Sequence, residues 1–276
     1  MTNNGWYNYP IWIYKTPTVF ITNMIHSVYV TTEPRTDGFG AQFQNIIFDI
    51  LFTYSNTKYH YVFPDIKSFE HNYTRDSGFT ERLIRYMNLR RYYPNKAFHT
   101  VNNYKTTSTY TYVENNLTQL LKSPTMNTIK TYFYADKNTY FDTHYHNVAV
   151  HIRRLNSDDS RLDGTETPDS YYIDVMKTIQ DSHPADGKPL MFHIYSQTRS
   201  AEDSERCMKL YNPSGDNDRI KFYLNSDLLY TFHGMVFADI LVCSRSSFSY
   251  CAALLTNGVV YYKPFWHKPA DFWRVA

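Results

Sequence analysis

Apolar and polar positions along the chain alternate between two periods, one strand-like and one helix-like. MIHSVYVTT (24–32) carries a strand pattern and runs into EPRTDGFGAQFQN, where Pro34, Asp37, Gly38 and Gly40 mark a sharp loop. From Ala41 the period changes: Phe43, Ile46, Ile47, Ile50 and Leu51 fall at helical spacing, giving one apolar helix face. KYHYVFPD (58–65) predicts a second strand stopped by Pro64. FTERLIRYMNLRRYY predicts a helix with Thr80 at its start, Glu81 in its first turn and Leu83, Ile84 and Met87 on one face. Another helix is expected in NNLTQLLKS near 117–125, whereas the Thr-rich 96–115 has no clear period. Residues 1–24, with Pro10 and Pro17, predict an irregular lead-in with a short strand in TVFIT.

A second alternating run begins near residue 147. Strands are expected at 148–152, 189–195, 219–224, 239–243 and 258–262. Helices fall between them at 170–182, in AEDSERCMKLY, from Ser226 and from Ser247. Strands alternating with helices on short loops predict an α/β fold. The restart of the pattern puts a boundary near 130–147. Two open α/β halves would hold ligands at the carboxyl ends of their strands and work in the cleft between them.

Composition narrows the class. With 276 residues and 42% hydrophobic content, the chain has enough core-forming residues for two modest domains or one large one. Lys and Arg exceed Asp and Glu by 28 to 26, so nothing in the charge favours nucleic acid. Cys207, Cys243 and Cys251 have no framework spacing and read as reduced, mostly buried thiols of a cytosolic protein, with a Cys243–Cys251 pair left open. MTNNGWYNYPIWIYK lacks the basic start and apolar core of a signal peptide, and IIFDILF is too short to span a bilayer, so a soluble cytoplasmic protein is expected. The 27 tyrosines stand out. In YKTTSTYTYV and KTYFYADKNTYF their spacing is strand-like, suiting half-wet amphipathic strands or rings that pack on sugar C–H faces.

Three stretches carry candidate chemistry. In VAVHIRR, His151 and Arg153 share one strand side and Arg154 takes the other. A guanidinium at a strand's carboxyl end can grip two oxygens of a pyrophosphate, or pair with a carboxylate. In ADILVCSRSSFSYCAALL, Ser244, Ser246 and Ser247 stand where a strand turns into a helix. Hydroxyls and uncapped N–H groups there suit a phosphate, although one serine is enough for a cap. DGFGAQ (37–42) lets backbone approach a ligand or makes a tight turn; it matches neither a dinucleotide fingerprint nor a P-loop. His144 and His146 share a strand face but have no third ligand, so no metal site is expected.

Together these stretches resemble the fucosyltransferase superfamily of glycosyltransferases. GFGAQFQNIIFDIL is similar to its glycine-and-glutamine loop entering the first helix, HIRR (151–154) to its HxRR motif, and FHGMVFADILVCSRSSFS (232–249) to its C-terminal donor motif. The resemblance implies a GT-B fold, with two Rossmann-like domains facing across a cleft. It assigns 1–140 to the acceptor side and 141–276 to the nucleotide-sugar donor. It also implies inverting chemistry without metal or other cofactor, and a donor site drawn from Gly38, Gly40, His151, Arg153, Ser196, Ser244, Ser246, Ser247 and Phe248. Asn156, where the family commonly has aspartate, and Ser196-Gln197, where an acid usually follows, weigh against guanine. The short chain also resembles the small soluble glycosyltransferases of large algal DNA viruses, which build capsid glycans. That likeness points to UDP-xylose as donor and a fucose residue of a capsid N-glycan as acceptor, in the host cytoplasm, with GDP-fucose as the alternative.

In an inverting transfer, charge grows on the departing phosphate while the acceptor hydroxyl loses a proton. Arg153, Ser246, Ser247 and the Phe248 N–H form the expected leaving-group set, with Arg154 a structural pair and His151 orienting the loop or touching the donor. Asp76, in a Gly-flanked polar loop, is the first choice of base, ahead of Asp65, Glu70 and Asp37. An inactive glycan-binding module and another nucleotide-dependent sugar-modifying enzyme are the competing readings.

Overall fold

The alternation in the sequence folds into two parallel sheets wrapped by helices. A computed structural model describes residues 28–33, 35–55, 59–73, 75–89, 102–103, 106–154, 166–182 and 187–276. The lead-in and its TVFIT strand lie outside the described residues.

The first sheet is small. Strand β1 (Val28–Thr31) lies between β2 (Tyr59–Val62) and β3 (Asn102–Asn103), all parallel. Helix α1 (Phe39–Tyr54) connects β1 to β2, and α2 (Phe79–Met87) follows β2. The residues expected on one face of α1 are buried, but so are Gln42, Gln44, Asn45, Asp49 and Thr53 on its other faces. It is therefore the central helix of the molecule.

The tyrosine-rich stretches correct the sequence reading. Instead of strands, 106–113 lie in α3 (Thr106–Asn115) and 130–134 end α5 (Pro124–Tyr134), with α4 (Leu117–Leu121) between the two helices and 135–141 in neither helix nor strand. Buried Thr109 and Val113 stand four residues apart on α3, which packs on α1, so tertiary burial overrides the β preference of Tyr and Thr. Ser123 caps α5 by accepting from the Met126 N–H, with Pro124 in its first turn.

The second sheet has six parallel strands: β4 (His146–Ile152), β5 (Leu190–Ser196), β6 (Ile220–Leu224), β7 (Ile240–Val242), β8 (Val259–Tyr262) and β9 (Arg274–Val275). Their spatial order is β6-β5-β4-β7-β8-β9. Numbered within this half, that is the doubly wound order 3-2-1-4-5-6, whose direction reverses between β4 and β7. Val148, Val150 and Ile152 of β4 join a core with α6 (Asp169–Asp181) and α7 (Ala201–Tyr211). Ala149 joins the opposite core, with α8 (Leu228–Phe237) and α9 (Ser247–Leu255).

That second core does not stop at the edge of the sheet. It runs from α8 and α9 through Phe39, Phe43 and Ile47 of α1 to Ile129 and Phe133 of α5. Phe232 lies 5.1 Å from Phe39 and 5.3 Å from Phe248, ring to ring. Cys207, Cys243 and Cys251 are buried free thiols. No helix among the described residues is long and apolar enough to cross a membrane.

Candidate active site

Parallel pairing brings the two polar motifs together. Val148 to Val150 pair in register with Ile240 to Val242, so β4 and β7 release their chains side by side at the switch point. There Ser244 Oγ lies 2.9 Å from His151 Nδ1. Arg153, Ser246, Ser247 and Phe248 line a cleft of about 1370 Å³ that Asp37, Gly38, Gly40 and Glu70 line as well.

His151 is 7% exposed and meets the Phe248 ring at 5.5 Å. Burial, with the Arg153 charge second, pushes its imidazole down to about 3. The ring is thus neutral at any physiological pH. Its lowered folded-state pKa fixes a sign: the unfolded chain takes up this proton near 6.5, so the stability it contributes is complete above that pH and declines as pH falls toward 3. The slope is at most about 1.4 kcal/mol per pH unit. His193, pushed down by burial to about 4, acts in the same sense, while Asp49, raised by burial to about 6, opposes both. His151→Gln is accordingly expected to flatten the acid loss of stability between pH 6.5 and 5, measured by urea unfolding at each pH.

The cleft receives the starts of two helices. Ser246 caps α9 by accepting from the Phe248 N–H at 3.2 Å. The Phe248 N–H, expected in the leaving-group set, thus takes part in the cap of its own helix at the cleft. Ser247 lines the cleft beside it. Gly38 occupies the cap position of α1 without a side-chain cap, leaving that helix's positive end to the cleft. Gly40 explains how the two starts come so close. A β-carbon there would lie 2.4 Å from Phe248 Cα and 2.7 Å from Phe248 N. Gln42 fixes the loop, donating from Nε2 to the Asp37 carbonyl at 2.6 Å and to the Ser68 carbonyl at 2.9 Å.

The remaining candidates separate by position. Ser196 lines the cleft and donates to the Ile152 carbonyl at 2.9 Å. Ser244 is fully buried behind the lining, bonded to His151. Arg154 bonds Asp169 Oδ1, which also accepts from Tyr211 Oη at 2.5 Å, so this guanidinium ties β4 to α6 and α7. Asp37 pairs with Arg35 at 2.5 Å, and the exposed Glu70 lines the same cleft. Asp76 and Asp65 are not among the residues that line the cleft. Asp76 accepts from the Gly78 N–H at 2.8 Å and pairs with Arg82 at 3.0 Å at the start of α2, while Asp65 pairs with Lys67 in solvent. Asn156 lies outside the described residues.

Sequence reasoning reached Ser196 and Gln197 at one end of the cleft but missed Asn225 to Asp227 there and the whole of the other end. At the β5–β6 end stand Gln197, Asn225, Ser226 and Asp227. Asn225 has φ +57°, a left-handed backbone that sends its side chain to the Thr198 N–H and hydroxyl, each at 2.9 Å. At the β8 end stand Tyr110, Glu114, Trp266 and His267, which no local motif signals because the two segments lie 153 residues apart in the Glu114–His267 pair. His71, with φ +72°, also lines the cleft and bonds the Tyr73 hydroxyl through Nδ1 at 2.7 Å. The other two-histidine stretch is ordinary: His144 Nδ1 bonds Asp142 Oδ1 at 2.7 Å. Among the described residues, no three His, Cys, Asp or Glu side chains cluster as a metal site.

No protein-family model matches this chain, and no curated protein sequence does. Among solved structures, it is similar to the E. coli heptosyltransferase WaaC with ADP-2-deoxy-2-fluoro heptose, at 10% identity and TM-score 0.42, covering 90% of this chain and 92% of that one. The same enzyme with ADP gives 9% identity, TM-score 0.41 and coverage of 86% and 88%. A mutant of Arabidopsis thaliana FUT1 in complex with GDP gives 10% identity, TM-score 0.40 and coverage of 89% and 72%.

Proposed function

We propose that this protein is an inverting glycosyltransferase that takes a sugar from a nucleoside-diphosphate donor without a metal ion. One observation carries the reading. A guanidinium, Arg153, and a serine-capped helix start, Ser246–Ser247, converge at the switch point of a 3-2-1-4-5-6 sheet, in one cleft with the uncapped start of α1. Positive charge and helix dipoles aimed at one place suit the charge that develops on a departing diphosphate. The 141–276 half would hold the donor and the 1–140 half the acceptor.

The nucleoside would lie toward Gln197, Asn225 and Asp227, polar groups able to read ribose hydroxyls and base edges. UDP-xylose is the preferred donor. Gln197 stands where an acid would favour guanine, and Asp227 spends Oδ1 on the Leu229 and Tyr230 N–H groups as the cap of α8. A fucose residue of a capsid glycan is the proposed acceptor, on the family resemblance alone. The base passes from Asp76 to Glu70, because Glu70 reaches the cleft whereas Asp37 is ion-paired to Arg35.

Three measurements test this. UDP is expected to raise the melting temperature more than GDP does, and xylosyl transfer is expected to survive EDTA. Glu70→Gln should lower turnover by about 10²–10⁴-fold, the usual contribution of a general base, while leaving nucleotide affinity unchanged. Stabilisation by neither nucleotide would end the transferase reading, and unaltered turnover in Glu70→Gln would remove that residue from the base role.

A further inference from the structure

The cleft continues past the switch point, and what lines its far end differs in kind. Adjacent strands lie about 4.8 Å apart, so from the β6 end to the β8 end the carboxyl edge spans roughly 19 Å. At the β8 end Trp266 lines the cleft and is 58% exposed.

An exposed tryptophan is ordinary in itself, but this one sits on a fixed mount. Phe265 on one side packs against Tyr250 and Tyr262, at 6.1 and 5.9 Å between ring centres. His267 on the other side is 6% exposed. It stacks on Tyr250 at 4.7 Å and bonds Glu114 Oε1 through Nδ1 at 2.7 Å. Two tyrosine hydroxyls hold the backbone: Tyr262 donates to the His267 carbonyl at 2.7 Å and Tyr250 to the Lys268 carbonyl at 3.1 Å. The rings of Phe265 and His267 meet the indole at 64° and 71°, so neither lies flat against it. The bond to His267 holds Glu114 at this end, and Tyr110, stacked on His267 at 5.6 Å, lies within electrostatic reach of Arg35 and Asp37, which line the same cleft. A carboxylate offers two oxygens, and the bond to His267 uses one of those on Glu114.

A clamped aromatic face beside carboxylates and a guanidinium is the chemistry that recognises a pyranose. The ring's C–H face packs on the indole while its hydroxyls find charged hydrogen-bond partners. We propose that the Trp266 face is a pyranose-binding subsite, with Glu114 and Arg35 as its hydroxyl partners. The proposal rests on the transferase reading only for its role in turnover, since the aromatic face binds sugar whether or not transfer occurs. The pyranose is either the acceptor's or the donor's, and the experiment separates the two.

Trp266→Ala and Trp266→Phe are compared with the wild-type protein by calorimetric titration with methyl α-L-fucopyranoside, methyl β-D-xylopyranoside and methyl β-D-glucopyranoside, each in saturating UDP, and with UDP and UDP-xylose alone. We expect at least one glycoside, or UDP-xylose relative to UDP, to bind at least tenfold more weakly to Trp266→Ala. Trp266→Phe should recover part of that loss, and UDP affinity should change by less than twofold. A loss for a glycoside assigns the subsite to the acceptor; a loss for UDP-xylose beyond that for UDP assigns it to the donor sugar. Unchanged sugar affinity in Trp266→Ala overturns the proposal, as does a UDP loss as large as the sugar loss, which would mark a nucleobase platform. Nucleotide binding with no response to any sugar overturns the subsite and leaves the transferase reading standing. Sugar binding through Trp266 with no nucleotide binding does the reverse, and failure to bind either overturns both.

Discussion

Replacing Arg153 by alanine is expected to lower transfer by about 10²–10³-fold, the effect of removing one preorganised donor from a site of developing negative charge. Transfer should fall by more than any accompanying loss of stability accounts for. The adjacent Arg154 gives the opposite result. Its bond to Asp169, shared with Tyr211, joins β4 to α6 and α7. Arg154→Ala should therefore cost about 1–2 kcal/mol, the lower part of the range for charged hydrogen bonds because both groups keep some solvent. Activity per folded molecule would change less than in Arg153→Ala. The pair is read by steady-state kinetics beside thermal unfolding. Full turnover in Arg153→Ala would remove the diphosphate role from the end of β4.

Gly40→Ala carries the second large effect, and it is steric. Its β-carbon would sit 2.4 Å from one backbone atom and 2.7 Å from another, both of Phe248. Backbone cannot rotate aside as a side chain can, so the starts of α1 and α9 must separate. Overpacking of this kind costs about 1–3 kcal/mol, and at this chain length each kcal/mol lowers the melting temperature by roughly 2–4 °C. The loss of activity should be greater than the loss of stability suggests, because misplacing a site by about 1 Å can cost about 10²-fold. Gly38→Ala is the control. Its β-carbon would meet the edge of the His71 ring at 3.0 Å, a side chain that can give way. Equal phenotypes for the two glycines would contradict this account.

How much of this was legible in the chain depends on how local each signal is. AEDSERCMKLY matches α7 end to end and the helix expected from Ser247 begins where α9 does, because serine caps and apolar spacing are written within a few residues. His151, Arg153 and the serines after β7 were legible for a different reason: parallel strands release their chains at the same edge. The misses are failures of period and of range. Tyr and Thr at every second position look like strands until α1 supplies a surface for Thr109 and Val113. Asp76 looked like a base because its polar, Gly-flanked loop is also what a helix start needs, and it is to the α2 start that its carboxylate is bonded. Trp266 and Glu114 have no meaning in isolation, since only folding puts α3 beside the segment after β8.

The greasy seam shared by α1, α8 and α9 also bears on how substrates come and go. Prising the two sheets apart would wet Phe39, Phe43, Phe232 and Phe248 together, and each phenylalanine returned to water costs about 1.5–3 kcal/mol. Wide hinge-bending is thus too expensive to accompany every turnover. This molecule should behave as a fixed vise, loaded through its rim, with small-angle scattering profiles that superimpose with and without nucleotide.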